Sequence, residues 1–518
     1  MQSGHPRTNL EHEAKLIAST SFCMPNLDRI TPTSTTHEPR HEVLDATYFD
    51  TADLALARAG ITLRHRDEYM HQPWTLKLPV THTARALVRN EISLDGPADQ
   101  VPADAADLVR AYCRSQPLIR VAMLHTSRTK IEVAGFDGEL VAEVVDDTVT
   151  VHDGPHDNTT FREIEVELRR QDPHGISVFD EITKRLVGAG AEPKPPLPKL
   201  VRALGAAAAA PPDVVRHDLF VKKKSHPTTR TLVRTALAAS VVAIVHNDAG
   251  VRIGDDPESL HAFRVATRQL RSHLRTFAPF LDPEWTSALR AELAWLGASL
   301  GTVRECDVLA DRLQMQQPLL AQRHTAVVEL LLHALAVERD NARRTLLTDM
   351  RSARYDQLID DLIVAAKQPP FSSEHHRQLR DQAAWVGTRL TRRSWKSLVK
   401  VVRAAGKHPS HDALHRVRIR AKRCRYSAES IAPLVGKPAV RFANAMRSLQ
   451  DTLGAHHDAG LAHEWFTRAA QAIPMSGECV DDLIALGARE RTDIENAWPK
   501  LAKKLLGDAR LVAWLTSK

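Results

Sequence analysis

The sequence predicts a multidomain chain: an antiparallel β tunnel or barrel (α+β) followed by an all-α domain. Three observations predict it. The first two hundred residues alternate charged and aliphatic side chains in short runs, the period of strands with one charged face. Beyond them the apolar positions fall at helical spacing. Within that helical region a single arrangement of histidine and basic residues occurs twice, the mark of a duplicated unit.

Size and charge bound the reading. A chain of 518 residues exceeds what one core organises, so two or three domains are expected. Its 43% hydrophobic and 26% charged residues are ordinary for globular protein. The net charge of +7, with 26 further histidines, points to anionic partners. Cys23, Cys113, Cys306, Cys424 and Cys479 are scattered without a CxxC pair, so a reduced, cytoplasmic setting and no zinc site are expected. No apolar run follows a basic start, so no signal peptide is expected. The longest apolar stretch, Ala236 to Val245, is interrupted by Ser240 and is too short to cross a bilayer, so no membrane partner is expected.

Taken in order, the N-terminal half reads as strands. Glu11-His12-Glu13-Ala14-Lys15 puts two carboxylates and an ammonium on one face, which suits a site for a divalent cation and a polyanion together. A short helical piece, Ala52 to Arg58, is closed by Gly60. Ile61 to Arg66 places Arg64 and Arg66 on one face, and Trp74 to Leu78 carries Lys77 and ends at Pro79. Arg89 to Leu94 carries Arg89 and Glu91 and stops at Asp95-Gly96. Then come Arg128 to Val133, Glu139 to Val145 with Asp146-Asp147, and Val149 to Val151. The last strand, Glu163 to Leu168, sets Glu163, Glu165 and Glu167 against three aliphatics. Such a row of like charges repels itself unless cations or opposing bases neutralise it. A barrel with a charged lumen explains all these strands jointly, because interior and exterior positions alternate along each.

These motifs, with Tyr48-Phe49-Asp50-Thr51 and Trp-x-Leu-Lys-Leu-Pro, resemble in order the CYTH family of triphosphate tunnel metalloenzymes, from about Leu10 to Leu204. The resemblance implies an eight-stranded antiparallel tunnel that acts on a triphosphate with Mg2+ or Mn2+. By match to the motifs, Glu11, Glu13, Glu163, Glu165 and Glu167 are the expected metal carboxylates, and Glu11, Glu13 and Lys15 the expected catalytic set. Lys15, Arg64, Arg66, Lys77, Arg89, Arg128 and Lys199 are the expected phosphate contacts. Neutralised charge, in-line positioning and an oriented water are what phosphoryl hydrolysis requires, and no Walker-type glycine loop or Ser/His/Asp arrangement competes for the role. His12, His65 and His82 are expected to be spectators, since hard-metal phosphate sites favour oxygen.

Residues 205–217, opening with Gly-Ala-Ala-Ala-Ala-Ala-Pro-Pro, read as a linker between domain 1–204 and domain 218–518. In the second domain His261-x-x-Arg264-x-x-x-Arg268-x-x-Arg271 recurs as His415-x-x-Arg418-x-x-x-Lys422-x-x-Arg425. Leu300-Gly301, followed by Arg304, recurs at nearly the same offset as Leu453-Gly454, followed by His457. The repeats span about 218–367 and 374–518, with a seam at Pro369-Pro370. Four bases spaced 0, +3, +7, +10 share a helical arc of roughly 80°, an arrangement that repels itself and that a bound polyanion relieves. Lys222-Lys223-Lys224 is either a solvated patch or a further contact.

This half is similar to a CHAD domain, from about Phe220 to Trp514. That implies two pseudo-repeated four-helix bundles and binding of inorganic polyphosphate by His261, Arg264, Arg268, Arg271, Arg304, His415, Arg418, Lys422, Arg425 and His457. The expected whole is a cytoplasmic triphosphatase, at polyphosphate granules, tethered to a polyphosphate-binding domain. The alternatives are a non-catalytic polyphosphate scaffold and a tunnel of thiamine-triphosphatase or adenylate cyclase type. Nucleic acid is disfavoured as a partner by 5% aromatic residues and no stacking motif.

Overall fold

The computed structural model describes residues 7–32, 34–67, 74–82, 87–154, 157–193, 198–215, 226–472 and 477–516. The chain divides into two compact units, Met1–Asp213 and Val214–Lys518.

The first unit is a closed barrel of eight strands: β1 (Arg7–Ala18), β2 (Arg40–Asp50), β3 (Thr62–Asp67), β4 (Trp74–His82), β5 (Leu87–Leu94), β6 (Ile119–Ala134), β7 (Leu140–His152) and β8 (Thr160–Leu168). Neighbours run β1-β5-β4-β3-β2-β6-β7-β8 and back to β1, antiparallel throughout. Closure leaves no unpaired edge and turns alternate side chains inward and outward. The two short runs expected at Glu139 to Val145 and Val149 to Val151 form one continuous strand, and the run expected from Arg128 begins nine residues earlier, at Ile119.

Outward aliphatics, among them Ala14, Leu16, Ile131, Val144, Ile164 and Val166, pack under a helix, α1 (Pro173–Gly188), through Val178, Phe179, Ile182 and Leu186. Asp172 caps that helix by accepting from Gly175 N at 2.7 Å. His12 meets Phe179 edge-on and His65 meets Trp74, so these two are packing residues; the side chain of His82 lies outside the described residues. The Tyr48-Phe49-Asp50-Thr51 motif has a local cause: the buried Asp50 carboxylate accepts from Leu56 N and Ala57 N, both at 2.8 Å, and pins the turn after β2.

A second helix, α2 (Lys199–Leu204), plugs one end of the barrel. Leu200, Val201, Ala203 and Leu204 pack on inward residues Ala46, Tyr48, Ala122, Leu124, Val149 and Val151. The lumen is therefore apolar at this end and charged beyond it. The alanine run after Leu204 is not free chain: Ala208 is buried in the same cluster, and Asp213 accepts from Arg58 at 3.2 Å and Arg114 at 3.0 Å.

The second unit is helical: α3 (Thr229–Ile253), α4 (Pro257–Thr276), α5 (Pro283–Gln316), α6 (Thr325–Met350) and α7 (Ala353–Lys367), then α8 (Ala383–Ala405), α9 (His411–Val435), α10 (Lys437–Ala472) and α11 (Gly477–Gly507). Oxygens of Thr228, Asp256, Asp282, Ser352 and Ser410 cap α3, α4, α5, α7 and α9. Helices α3–α6 and α8–α11 follow each other in the same order, with α4 and α9 carrying the repeated basic motif and packing together. Helix α3 is, by length and composition, long and apolar enough to cross a membrane, with 61% of its most apolar window buried in the unit. Ser240, read in the sequence as an interruption, does not break it, because its hydroxyl donates to Ala236 O at 3.3 Å.

Leu200 is fully buried at the barrel plug. Leu200→Ala should destabilise the barrel by about 2–5 kcal/mol, the range for a cavity-forming truncation. Chemical denaturation followed by tryptophan fluorescence checks it.

Candidate functional site

The charged section of the lumen encloses a cavity of about 180 Å³. Strands β1 and β8 run antiparallel with Glu13 opposite Glu167 and Lys15 opposite Glu165. Lys15 Nζ stands 3.6 Å from Glu13 Oε2 and 3.9 Å from Glu163 Oε1, and pairs closely with Glu165. Lys199, at the first turn of α2, reaches Glu163 Oε1 at 3.4 Å and Glu165 Oε1 at 3.3 Å and pairs with Asp147. Arg128 grips both oxygens of Asp147 at 2.8 Å, and Arg89 pairs with Glu13. Lys77 meets Glu91 at 2.8 Å and Arg64 donates to the Tyr48 hydroxyl at 3.5 Å. Arg66 and Glu167 line the same cavity. Every expected tunnel residue with a described side chain thus lies in this one lumen. Glu11 faces Arg89 in the strand register, and its side chain lies outside the described residues.

The electrostatics follow from burial and mutual pairing. Burial works against the Lys15 ammonium, yet Glu13, Glu165 and Glu163 outweigh it and hold its pKa above the ordinary lysine range. Burial likewise opposes ionisation of Glu165, but Lys15, Lys199 and Arg128 hold it well below the usual carboxylate range. Glu163 moves up because burial dominates there. Asp147, against the push of burial, is held low by Lys199 and Arg128.

The sequence reading did not single out Asp147, Glu143, Glu91 or Tyr48 as site residues. Glu143, Val145 and Asp147 share one face of β7, where the valine interrupts the charged row. Glu143 takes Lys130 at 2.8 Å and Arg169 at 3.0 Å.

The lumen donors for a metal are all carboxylate oxygens, the chemistry that suits a hard divalent cation. Glu163 Oε1 is buried and makes no well-aligned hydrogen bond among the described residues; the Lys199 and Lys15 ammonium groups stand 3.4 Å and 3.9 Å from it. Among the described residues no three His, Cys, Asp or Glu side chains form a metal cluster; the Lys15 ammonium stands among Glu13, Glu163 and Glu165. The donor set fits such a cation in kind, with Lys15 at the point on which the acids converge.

The second unit holds a cavity of about 390 Å³ lined by Arg264 and Arg268 of α4, Arg304 of α5, His415, Arg418 and Lys422 of α9, and His457 of α10. Gly301 and Gly454, the repeat markers, face Arg264 Nη2 and Arg418 Nη2, which lie 3.7 Å and 3.4 Å from where a β-carbon would stand. The two repeats therefore seat one arginine each against the neighbouring helix in the same way. His261 does not line the cavity; it lies within electrostatic reach of Arg304, Arg268 and Arg264, although burial is the main cause of its lowered pKa. Arg271 and Arg425 do not line the cavity: Arg271 sits near Arg290, and Arg425 stacks over Tyr426 and lies 3.6 Å from Glu429. Their step along the helix carries them past its end. Asp458, Trp465 and Arg468 line it and were missed; His457, Leu461, Glu464 and Arg468 follow helical spacing on α10, which would have found Arg468. The rings of His415 and His457 are 4.7 Å apart. Burial first, then Arg418, Arg268 and Arg264, lowers Lys422 to about 7, and burial with Arg418 lowers His457 to about 4. Lys222, Lys223 and Lys224 lie outside the described residues.

Asp147→Asn would leave Arg128 and Lys199 without their shared carboxylate, at a cost of about 3–5 kcal/mol. The folded pKa of Asp147 is depressed, so its contribution is complete above about pH 4 and lost as pH falls through the folded value. The wild-type barrel should therefore lose stability on acidification more steeply than Asp147→Asn, read from thermal melts between neutral and acid pH.

A CYTH domain model matches residues 9–188 and a CHAD domain model residues 235–467. Uncharacterized proteins of two Mycobacterium tuberculosis strains, CDC 1551 / Oshkosh and ATCC 25618 / H37Rv, are each 30% identical over 494 residues, 92% of this chain and 92% of the relative. The CHAD domain crystal structure from the plant Ricinus communis is similar at 26% identity and a TM-score of 0.44, covering 59% of this chain and 97% of that one. PptA from Streptomyces chartreusis is similar at 22% identity and a TM-score of 0.43, covering 54% of this chain and 100% of that one. CYTH proteins generally act on triphosphates with divalent metals. With its closed eight-stranded barrel followed by paired helical repeats, the chain belongs to the family of proteins in which a CYTH domain precedes a CHAD domain.

Proposed function

We propose that the barrel is a triphosphatase dependent on Mg2+ or Mn2+, acting on inorganic triphosphate or a related triphosphate, and that the helical domain binds polyphosphate. One observation carries the first half: bases and acids converge from opposite walls on a single buried lumen, with Lys15 and Lys199 each in contact with several carboxylates. Glu13, Glu163 and Glu165 are the side chains that would hold the cation, and Glu11 stands two residues from Glu13 on the same strand. A bound divalent cation supplies charge neutralisation on phosphate oxygens. Arg64, Arg66, Lys77, Arg89 and Arg128 present guanidinium and ammonium donors to the remaining oxygens and fix the chain in line. The apolar plug of α2 closes one end, so a linear substrate enters from the other and its terminal phosphoryl group stops beside Lys199. The walls limit water there to what the carboxylates orient.

The second half is supported by the cavity of the helical unit, where Arg264, Arg268, Arg304, Arg418 and Lys422 crowd together with few acids to offset them. A polyanion relieves that repulsion, and its affinity falls with salt as for nucleic-acid phosphates.

Glu13→Ala in the full chain should lower phosphate release from tripolyphosphate with Mg2+ or Mn2+ by about 100-fold or more. Unchanged turnover would remove the catalytic assignment. Lys422, with a pKa of about 7, is neutral above that pH and charged below it. Long-chain polyphosphate should therefore bind more tightly at pH 6 than at pH 8, and Lys422→Met should flatten the difference, measured by titration calorimetry.

A further inference from the structure

Helix α8, Ala383–Ala405, contains six basic residues and no acidic one. Arg389, Arg392, Arg393, Lys396, Lys400 and Arg403 are all exposed. At 100° per residue they fall within one arc of about 100°, with Trp385 on the same arc. Trp385 is 46% exposed, and the Arg389 guanidinium stacks on it at 4.4 Å. From Arg389 to Arg403 the stripe is about 21 Å long, one cation every 4 Å or so. Bases one turn apart, such as Arg389 with Arg393 and Arg392 with Lys396, repel each other, and the helix offers no carboxylate to relieve them. None of the six lines the basic groove.

The fold does not require this stripe. Helix α3 holds the corresponding place in the first repeat, and its sequence has Arg230, Arg234 and Arg252 with Asp248, and no continuous basic face. We propose that the outer face of α8 is a second binding surface for a linear polyphosphate, separate from the groove between α4 and α9. The proposal rests on the reading of the helical domain as a polyphosphate binder. It adds that a long chain occupies both places and a short one does not.

Two other polyanions fit less well. A membrane-binding amphipathic helix needs an apolar face to enter the lipid, but Val386, Leu390, Leu398 and Val402 are buried in the bundle and Trp385 alone is left outside. A single-stranded nucleic acid needs several aromatic platforms, whereas here the one ring already carries a guanidinium. A flexible chain with closely spaced charges and no bases matches a narrow, straight row of cations.

The test uses the full chain with the four substitutions Arg392→Gln, Arg393→Gln, Lys396→Gln and Lys400→Gln combined; all four side chains are exposed, and a thermal melt checks that folding is kept. Affinity for end-labelled long-chain polyphosphate should fall about tenfold or more, and its salt slope by about 3, while tripolyphosphate binding is unchanged. Arg418→Ala, in the groove, serves as the second arm. If wild-type protein does not bind the long chain, the polyphosphate reading of the domain fails and this proposal with it; if it binds but Arg418→Ala leaves its affinity unaltered, the groove is not a site and the claim that a long chain occupies both places is overturned. If Arg418→Ala weakens the long chain but the four substitutions do not, the α8 surface alone is overturned. Loss of duplex DNA or of phosphatidylserine vesicles by the four-fold variant, with long polyphosphate still held at full affinity, would overturn it too.

Discussion

The barrel depends on one constraint: charge placed in a closed, poorly hydrated lumen has to be balanced there. An ion stripped of water costs far more than a surface ion, and a pair repays that cost only with close geometry. Lys15 among Glu13, Glu163 and Glu165, and Asp147 between Arg128 and Lys199, are that geometry. Alternation delivers the charges inward, and the outward aliphatics under α1 hold the wall in place. The same pairing gives the lumen its capacity to accept foreign ions. An ammonium set among acids occupies the kind of place a cation takes, and a carboxylate between two bases the kind a phosphate takes.

The helical unit handles charge in the opposite way. Its groove concentrates bases of one sign, with Glu305, Asp458 and Glu464 as partial relief, and Arg264 Nη2 comes no nearer to Glu305 than 4.0 Å. The imbalance shows in Lys422 and His457, both driven toward their neutral forms by burial and by neighbouring arginines. A balanced lumen exchanges ions of both signs, whereas an unbalanced groove takes anions alone. This difference follows from architecture: inward strand positions come from eight directions and mix signs, while the groove is lined by one face each of α4, α5, α9 and α10, and the faces of α4 and α9 are basic.

Much of this was legible in the sequence, because period reports facing. Glu163, Glu165 and Glu167 read correctly as one face of a strand, and the recurring His-Arg-Arg pattern read correctly as a duplicated helix. What escaped is equally physical. Asp147 shares its face with Val145, Val149 and Val151, so the strand lacks a uniformly charged side and reads as core. Helix α2 is six residues after a proline-rich stretch, too short for a periodic signal, and its role as a plug depends on a barrel mouth that only tertiary structure creates. The alanine run after it looked like linker because alanine carries little information; a single buried contact at Ala208 and the two arginines on Asp213 hold it to the barrel. Arg271 and Arg425 matched the motif by spacing, but spacing fixes direction around the helix and not the depth of the cavity along it.

Duplication explains why the groove needs both repeats. Each motif alone is a basic helix face, which water solvates adequately. Packing α4 against α9 brings Arg264 and Arg268 within electrostatic reach of Arg418 and Lys422, so that each stripe raises the cost of the other. Repulsion between two solvated helices would separate them; here Phe263, Leu270, Val417 and Ala421, fully or nearly fully buried on the same two helices, anchor both in the core and prevent it. The apolar side of each helix thus holds the basic sides together against their own repulsion, and a polyanion lying between them gains from both at once. One repeat alone would present half of that field and none of the confinement.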